Sequence, residues 1–351
     1  MISLGIPLIA RDGACFYNKP FEHLVCIGGT GKGKTTFMHR LIDSVDGGII
    51  IIDPTGDLAD RIYDDDCIYV DKYNPISLNP LTRGYLSKSE IANEFTEVLE
   101  AAVKSTSPDQ WGSSILMQKI IRNAVRVGIT DATKMSNFFE YEHLRKNHDD
   151  KYWKHFDDKD GKGWYVDRER VESAKRLSAR LSLLTEDETV RPFVHGYHQF
   201  SVKDIADNGK KIIFNLHGFD DFTVSFIGGL IANLVKSYYR NQATPESPPL
   251  FFFCDEVHYF LTDKYQRFFV DCRKYNISIN ISLHSKTQVD KNVVGIIDDS
   301  VTTKVMLKPK FKADVTIDDK DYHIGLYPPI TSNPRPKVNF LRDNWIKFDI
   351  I

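Results

Sequence analysis

The sequence predicts an α/β protein with a mostly parallel central sheet and a helical insertion. Apolar, β-branched runs recur along the 351-residue chain, each followed by a turn signal, and helical patterns at 35–45 and 223–239 separate several of them. Strands that alternate with helices form parallel sheets with helices on both faces. The predicted strands are residues 24–27, 49–52, 211–216, 250–254, 277–283 and 303–307.

The middle of the chain is predicted to be mainly helical. Between Gly56 and Asn208 the apolar, β-branched runs typical of strands give way to apolar residues at helical spacing. Ser87 and Glu90 form a capping box at the start of one predicted helix. Apolar stripes predict two more helices over 111–127 and 167–184. The predicted organisation is an N-terminal part of an α/β core (1–85), a mainly helical insertion (86–205) and a C-terminal part of the core (206–351).

Composition restricts the class of protein. With 42% hydrophobic and 27% charged residues the chain is typical of soluble globular proteins, and no run reaches the length of a membrane span. Five cysteines without a CxxC pair indicate free thiols in a reducing compartment. We therefore expect a cytoplasmic protein without a transmembrane segment. The net charge of −2 argues against a uniformly basic nucleic-acid binder but permits DNA contacts on a few loops.

A complete phosphate-binding loop follows the first predicted strand and precedes a helix. Its glycines let successive N–H groups point at one anion, and the helix N-terminus adds partial positive charge there. Lys34 is predicted to reach the β- and γ-phosphates and Thr35 to bind Mg²⁺. The predicted nucleotide-binding residues are Gly28, Gly29, Thr30, Gly31, Lys32, Gly33, Lys34, Thr35 and Thr36.

Carboxylates end two further predicted strands. Asp255 and Glu256 follow the apolar run 250–254, where the first acid is placed to hold Mg²⁺ and the second to activate the attacking water. Two consecutive acids can also be a solvated turn, but the phosphate loop favours catalysis. Asp53 ends the strand 49–52 at the same predicted edge and is a candidate for nucleotide binding, although an ordinary strand-to-helix turn explains it equally well.

Four segments together resemble the FtsK/HerA superfamily of DNA-pumping ATPases, in particular the core of TraG-type coupling proteins and the packaging ATPases of membrane-containing viruses. The resemblance implies a RecA-like P-loop NTPase fold with ATP and Mg²⁺ as cofactors. The segments are HLVCIGGTGKGKT (23–35), similar to HxxxxGxTGxGKT, IIIDPTGDL (50–58), similar to DPxGDL, FFCDEVHYF (252–260), similar to the Asp-Glu strand, and DCRKYNISINISL (271–283), similar to RKYGxxLxLxTQ.

The resemblance also implies two residue roles that composition and spacing do not give. Arg273 matches the family arginine that acts across the subunit boundary as a finger, which would neutralise charge in the transition state. His284 stands where the family has a Gln that senses the γ-phosphate, so either its imidazole takes that role or Gln288 does. Other arginines compete with Arg273 for the finger role: Arg176, Arg180 and Arg191.

The function that the resemblance implies is an ATP-driven pump that assembles from copies of the chain as a hexameric ring and packages viral double-stranded DNA into a capsid. One alternative is a soluble coupling or HerA-like ATPase of a mobile element. Another is a nucleotide-gated assembly protein that moves no DNA. Expected partners are double-stranded DNA, further copies of the chain, and either capsid and virion membrane proteins or a DNA-transfer complex.

A ring translocase grips the phosphate backbone with a few Lys or Arg side chains, so binding depends on salt and little on sequence. Basic groups of this kind are more often solvated than bound to DNA. The candidate groups are the helix 167–184, the set Lys304, Lys308, Lys310 and Lys312, and the set Arg335, Lys337 and Arg342.

Overall fold

The computed structural model describes residues 7–9, 15–17, 22–106, 114–126, 128–130, 132, 135, 168–261, 266–308, 312–317 and 320–325. Its strands are β1 (Pro7–Ile9), β2 (Cys15–Tyr17), β3 (Leu24–Ile27), β4 (Gly48–Asp53), β5 (Ile68–Val70), β6 (Lys211–Asn215), β7 (Leu250–Cys254), β8 (Ile277–Leu283), β9 (Thr303–Lys308), β10 (Lys312–Ile317) and β11 (Lys320–Gly325). Across these ranges, nine strands form one sheet in the order β11-β10-β9-β3-β8-β7-β4-β6-β5, and β1 pairs with β2.

The sheet is mostly parallel, as the sequence predicts. Every neighbouring pair from β9 to β5 is parallel, and only the β10–β11 hairpin adds antiparallel strands at one edge. Every residue of the inner strands β3, β4, β7 and β8 is buried. Strands buried on both faces read as continuous apolar runs, which is why the sequence identifies them.

Helices fill the connections. They are α1 (Lys34–Ser44), α2 (Asp57–Ile62), α3 (Lys88–Thr106), α4 (Ser114–Arg126), α5 (Arg168–Thr185), α6 (Arg191–Val194), α7 (Val202–Asp207), α8 (Asp221–Asn241), α9 (Gln266–Asp271) and α10 (Lys291–Ser300). The described residues form two compact units, one within 1–71, 201–219 and 234–351, the other within 72–200 and 220–233. The nine-stranded sheet lies in the first unit, and α3 to α6 lie in the second.

In the second unit the predicted capping box is present at the start of α3. The Ser87 backbone N–H donates to Glu90 Oε2 at 2.9 Å, and the Glu90 N–H donates to Ser87 Oγ at 3.3 Å. The predicted helices 111–127 and 167–184 correspond to α4 and α5, although residues 111–113, 127 and 167 lie outside the described ranges. None of the helices in the described ranges is apolar over a stretch long enough to cross a bilayer.

In the first unit an apolar cluster holds α1 against the sheet. Phe37, Met38 and Leu41 of α1 pack with Cys26 of β3 and Val305 of β9. The two ends of the loop that joins β3 to α1 are therefore fixed by the core. The four cysteines with described side chains carry no disulfide, which agrees with the predicted free thiols.

The β10–β11 hairpin and the short β5 are absent from the predicted strands. Alternate residues of the hairpin are polar or charged, as in an antiparallel edge, and β5 has three residues. Neither forms the apolar run that marks a buried parallel strand. The hairpin widens the sheet beyond β9 and does not alter the edge where β3, β7 and β8 end.

Candidate active site

The loop between β3 and α1 has the backbone of an anion site. Gly31 and Gly33 have φ angles of +73° and +93°, a region that favours glycine. Among the residues that the structure describes, no side chain caps the start of α1, and the first turn of α1 carries no acidic residue, so its N–H groups are available to an anion. The Gly28 N–H donates to the Leu283 carbonyl at 3.0 Å, which ties the loop to β8. This geometry fits a bound phosphate.

Parallel pairing brings the predicted catalytic segments to one edge of the sheet. Ile27 at the end of β3 pairs with Leu283 at the end of β8, and Cys254 of β7 pairs with Ile281 of β8. The phosphate loop, the acidic pair and His284 each follow directly after one of these three strands. Segments 250 residues apart in sequence therefore meet, as Lys34 and His284 do.

Lys34, Glu256 and His284 form a closed triangle of contacts. Lys34 Nζ lies 3.1 Å from Glu256 Oε1 and 3.0 Å from His284 Nδ1. His284 Nε2 lies 3.0 Å from Glu256 Oε1. The Lys34 and Glu256 side chains are 7% and 6% exposed. The neutral His284 tautomer with its proton on Nε2 satisfies both contacts, because Nδ1 then accepts from lysine and Nε2 donates to glutamate.

Glu256 is held in an unusual backbone conformation. Its φ of +51° and ψ of +54° are left-handed, which is uncommon for a residue other than Gly and is found preferentially at functional sites. Its backbone N–H donates to Ser282 Oγ at 3.0 Å. Burial alone would raise the pKa of the Glu256 carboxyl, but His258, Lys34 and His284 outweigh burial and hold that pKa below its ordinary value. Glu256 is therefore ionised, as a base requires.

Asp255 is the more deeply buried acid. It is 2% exposed, and the Ser282 hydroxyl donates to its Oδ1. Burial raises the pKa of the Asp255 carboxyl to about 6, with the charges of Asp53 and Glu256 adding to the rise against the hydrogen bond from Ser282. A divalent cation at this carboxylate would favour its ionised form, so the residue is suited to a metal. Ser282 links the two acids, because it contacts both.

The Asp53 carboxylate accepts hydrogen bonds from the turn that follows β4. Its Oδ1 accepts from the Thr55 N–H and hydroxyl, each at 2.9 Å, and its Oδ2 accepts from the Ala59 N–H at 2.8 Å. Asp53 thus shapes the turn that follows β4 and caps α2. This arrangement favours the strand-to-helix turn over the predicted nucleotide contact.

Gln288 holds the backbone beside the site. Its Oε1 accepts from the N–H groups of His284 at 2.8 Å and Ser285 at 3.2 Å, within a capping box. Of the two candidates for γ-phosphate sensing, His284 is the one whose side chain contacts Lys34 and Glu256.

Arg273 lies at the amino-terminal ends of the parallel strands, opposite the ends that carry Lys34 and Glu256. It is exposed on the turn Cys272–Tyr275, before the first residue of β8, whereas His284 follows the last. The seven residues of β8 place these ends about 20 Å apart at the rise of a strand. Arg273 therefore does not join Lys34 and Glu256 within one chain. The competing Arg176, Arg180 and Arg191 lie in the second unit.

His23, the first residue of the quoted loop motif, joins the start of β3 to the turn that carries Arg273. Its Nδ1 accepts from the Ile279 N–H at 3.1 Å, and its Nε2 donates to the Phe269 carbonyl at 2.6 Å. The ring also meets Phe269 edge-on, with centroids 5.8 Å apart, and lies near Cys272. His23 is therefore a buried clamp between β3, β8 and the segment that leads to Arg273.

Acid is expected to destabilise the fold through His23. Burial lowers the pKa of His23 from 6.5 to about 3, with Arg273 adding to the fall against the hydrogen bond to Phe269. Because the folded pKa lies below the unfolded one, this stability is complete above the unfolded pKa and is lost as pH falls toward the folded pKa. Urea unfolding between pH 7 and 5 should show a loss of up to about 1.4 kcal/mol per pH unit from this group.

The control is His23→Asn, which should lower the free energy of unfolding at pH 7 by about 1–3 kcal/mol and make its pH dependence shallower. His198, whose pKa burial lowers to about 4, contributes the acid sensitivity that remains. Equal pH slopes in the two proteins would contradict the role of His23.

Two residues at this edge have no role in the sequence predictions. Ser282 contacts both acids, and His258 Nδ1 lies 3.5 Å from Glu256 Oε2. A signal for Ser282 was present, because polar residues at period two on β8, an otherwise apolar strand, indicate a face with hydrogen-bond partners (Ser278, Asn280 and Ser282). His258 carries no such periodic signal.

One family model identifies the family of this chain. A family model described as "Helicase HerA, central domain" matches residues 18–235, which is more than half of the chain and includes the phosphate loop. The chain belongs to the HerA central-domain family. With the phosphate loop and the acidic pair at one edge, this HerA-type chain is a P-loop ATPase, and its cofactors are ATP and Mg²⁺.

Solved structures share this HerA-type fold. The bacterial conjugative coupling protein TrwB aligns with a TM-score of 0.63 and 14% identity over 90% of this chain and 87% of its own. VirB4 of Thermoanaerobacter pseudethanolicus aligns with a TM-score of 0.62 and 14% identity over 93% of this chain and 97% of its own. At these identities the likeness shows the RecA-like P-loop fold. A search of the curated proteins finds no significant match.

Proposed function

We propose that the chain is the motor subunit of a ring, a hexamer, that hydrolyses ATP to move double-stranded DNA in a DNA-transfer system. The observation that carries the proposal is the position of Arg273, exposed at the edge opposite its own Lys34 and Glu256. An arginine there can serve the active site of a neighbouring copy. Hydrolysis then requires assembly, as in a ring motor.

The residues of one chain supply the rest of the site. Backbone N–H groups of the loop 28–33 and the Lys34 ammonium bind the β- and γ-phosphates, and Thr35 and Asp255 hold the metal. Bound ATP and Mg²⁺ supply a labile phosphoryl bond and charge neutralisation. Glu256 accepts the proton of the attacking water, and His284 orients the Lys34 and Glu256 side chains. The ionised Glu256 favours a hydrolase over a nucleotide-gated switch.

The substrate class rests on relatives. TrwB is named as a conjugative coupling protein, and its fold matches most of both chains, which supports DNA transfer as the form of the function. The sequence resemblance to packaging ATPases supports loading of a capsid as a second form. Copurification with a membrane complex or with a capsid distinguishes them, because the two functions need different partners for the same ATPase.

The proposed DNA contacts are few. One candidate set consists of Lys304, Lys308, Lys310 and Lys312. In it, Lys304 is paired with Asp298 and Lys308 with Asp314, so the charges of these two lysines are partly neutralised, while Lys312 is exposed. Lys310 lies outside the described residues, as do Arg335, Lys337 and Arg342. We therefore assign DNA binding to a small number of phosphate contacts, which should make it strongly dependent on salt.

Linear duplex DNA is expected to stimulate ATP hydrolysis when the protein is assembled. The ATPase rate should be measured with and without duplex DNA at rising salt, with assembly followed by light scattering and Lys34→Ala as the inactive control. Stimulation should decline as salt weakens phosphate contacts. Absence of stimulation in samples that contain rings would contradict DNA translocation.

A further inference from the structure

Ser282 lies one residue before the carboxyl end of β8, at the edge that holds the phosphate loop. Its neighbour Leu283 accepts a hydrogen bond from the Gly28 N–H at 3.0 Å, and Ser282 itself pairs with Cys26 of β3. The residue is completely buried. Because a buried hydroxyl needs hydrogen-bond partners within the protein, the groups that Ser282 contacts indicate what its position serves.

The Ser282 hydroxyl bonds to both members of the acidic pair. It accepts a hydrogen bond from the Glu256 backbone N–H at 3.0 Å and donates its proton to Asp255 Oδ1. The direction of each bond is fixed, because a backbone N–H can only donate and an ionised carboxylate can only accept. One hydroxyl therefore holds the two acids at the same time.

The two bonds constrain different parts of the site. The bond to Asp255 occupies Oδ1 and leaves Oδ2 as the oxygen available to a metal. The bond from Glu256 holds a backbone with a φ of +51°, a conformation that persists only where surrounding groups enforce it. From that backbone the Glu256 carboxylate reaches Lys34, with Oε1 3.1 Å from Nζ. Loss of the hydroxyl would thus release both acids from their positions.

We propose that Ser282 is a positioning residue for hydrolysis, whose hydroxyl holds the metal-binding carboxylate and the base in fixed positions relative to the phosphate loop. The inference rests on the proposed roles of Asp255 and Glu256. Ser282 acts only through these two acids, so its removal should impair metal binding and hydrolysis together. Binding of a nucleotide without a metal should change little, because the loop and Lys34 are unaltered.

Ser278 provides a matched control on the same face of the same strand. It is 1% exposed, and its hydroxyl also makes two bonds, donating to the Glu22 carbonyl at 2.8 Å and accepting from Asn280 Nδ2 at 3.1 Å. Ser278 lies near the start of β8, at the end opposite the acidic pair. Ser278→Ala therefore removes a buried hydroxyl from β8 and leaves both acids in place, and its urea midpoint should fall by an amount similar to that of Ser282→Ala.

The test compares Ser282→Ala, Ser282→Cys and Ser282→Thr in the full chain, at concentrations where rings form. Ala and Cys should each weaken binding of Mn²⁺ to the ADP-bound protein about 10-fold and lower kcat about 10- to 100-fold, the range for loss of a group that orients a metal ligand. Cys fills the space of Ser but is a weak donor, whereas Thr keeps the hydroxyl and should keep most activity and Mn²⁺ affinity.

Free Mn²⁺ is measured by electron paramagnetic resonance, and the Kd of a fluorescent ADP analogue without divalent metal should stay within about twofold in every variant. Wild-type kcat and Mn²⁺ affinity in Ser282→Ala would overturn the inference, as would equal losses in Ser278→Ala or in Ser282→Thr. If Ser282→Ala does not fold, Ser282→Cys, which leaves no cavity, takes its place in each comparison. If Glu256→Gln keeps full activity, the proposed function fails instead, and Mn²⁺ affinity still tests the link between Ser282 and Asp255.

Discussion

Replacing Arg273 with Ala is expected to lower the ATPase rate of the assembled ring about 10³-fold or more, with ATP affinity preserved. The reason is geometric, since Arg273 is exposed at the edge of the sheet opposite its own Lys34 and Glu256. The loss should therefore arise in the site of the neighbouring copy. The rate of hydrolysis and the Kd of an ATP analogue should be measured at concentrations where rings form.

The neighbouring Lys274 provides the matched control. It is also exposed on the same turn, and its contact with Asp271, at 3.3 Å, is a surface ion pair of little energetic value. Lys274→Ala should keep the wild-type rate.

Mixed rings test the finger role independently of either single variant. Arg273→Ala subunits keep Glu256, and Glu256→Gln subunits keep Arg273, so adjacent unlike copies can form one complete site. Mixing two inactive proteins should restore part of the activity. Two outcomes would show that another arginine acts as the finger. One is that mixed rings form but recover no ATPase activity, and the other is that Arg273→Ala hydrolyses ATP as fast as Lys274→Ala.

Replacing Glu256 with Gln should lower kcat about 10²- to 10⁴-fold, the range for loss of a general base. Gln keeps the shape of the side chain but cannot accept a proton in this way, so ATP binding should persist. The ion pair with Lys34, at 3.1 Å, is lost in the variant, which frees the ammonium for phosphate. Single-turnover hydrolysis and the Kd of an ATP analogue separate these effects.

Glu246→Gln is the matched control for charge, because Glu246 is exposed outside the site and its replacement removes the same unit of charge. It should hydrolyse ATP at the wild-type rate. A Glu256→Gln protein with undiminished single-turnover hydrolysis would show that another group activates the water.

The sequence predicts the fold best at the strands that also position the candidate site. The strands β3, β7 and β8 are apolar because they are buried on both faces, and the parallel sheet then brings the residues after them to one edge. That reasoning predicts a shared position for the phosphate loop, Asp53 and the acidic pair, whereas the role of His284 comes only from the family resemblance. It could not predict which side chains touch.

The remaining features depend on tertiary geometry. The local bonds of Asp53 arise from the turn after β4, and the left-handed backbone of Glu256 arises from packing beside Ser282. A single sequence does not encode either in its periodicity. The β10–β11 hairpin escaped prediction because its alternate residues are polar or charged, as in an edge strand.

The placement of His284 and Arg273 at opposite ends of β8 has a consequence for defective subunits. If each copy lends Arg273 to a neighbour, every strand β8 belongs to two adjacent reaction centres. A copy that carries both Glu256→Gln and Arg273→Ala would inactivate its own active site and the active site of the neighbour that receives its residue 273. When such a doubly altered copy is mixed with wild-type protein, the ATPase rate should fall more steeply with the fraction of altered copies than it does for either single variant. The shape of that curve would give the number of copies in the ring.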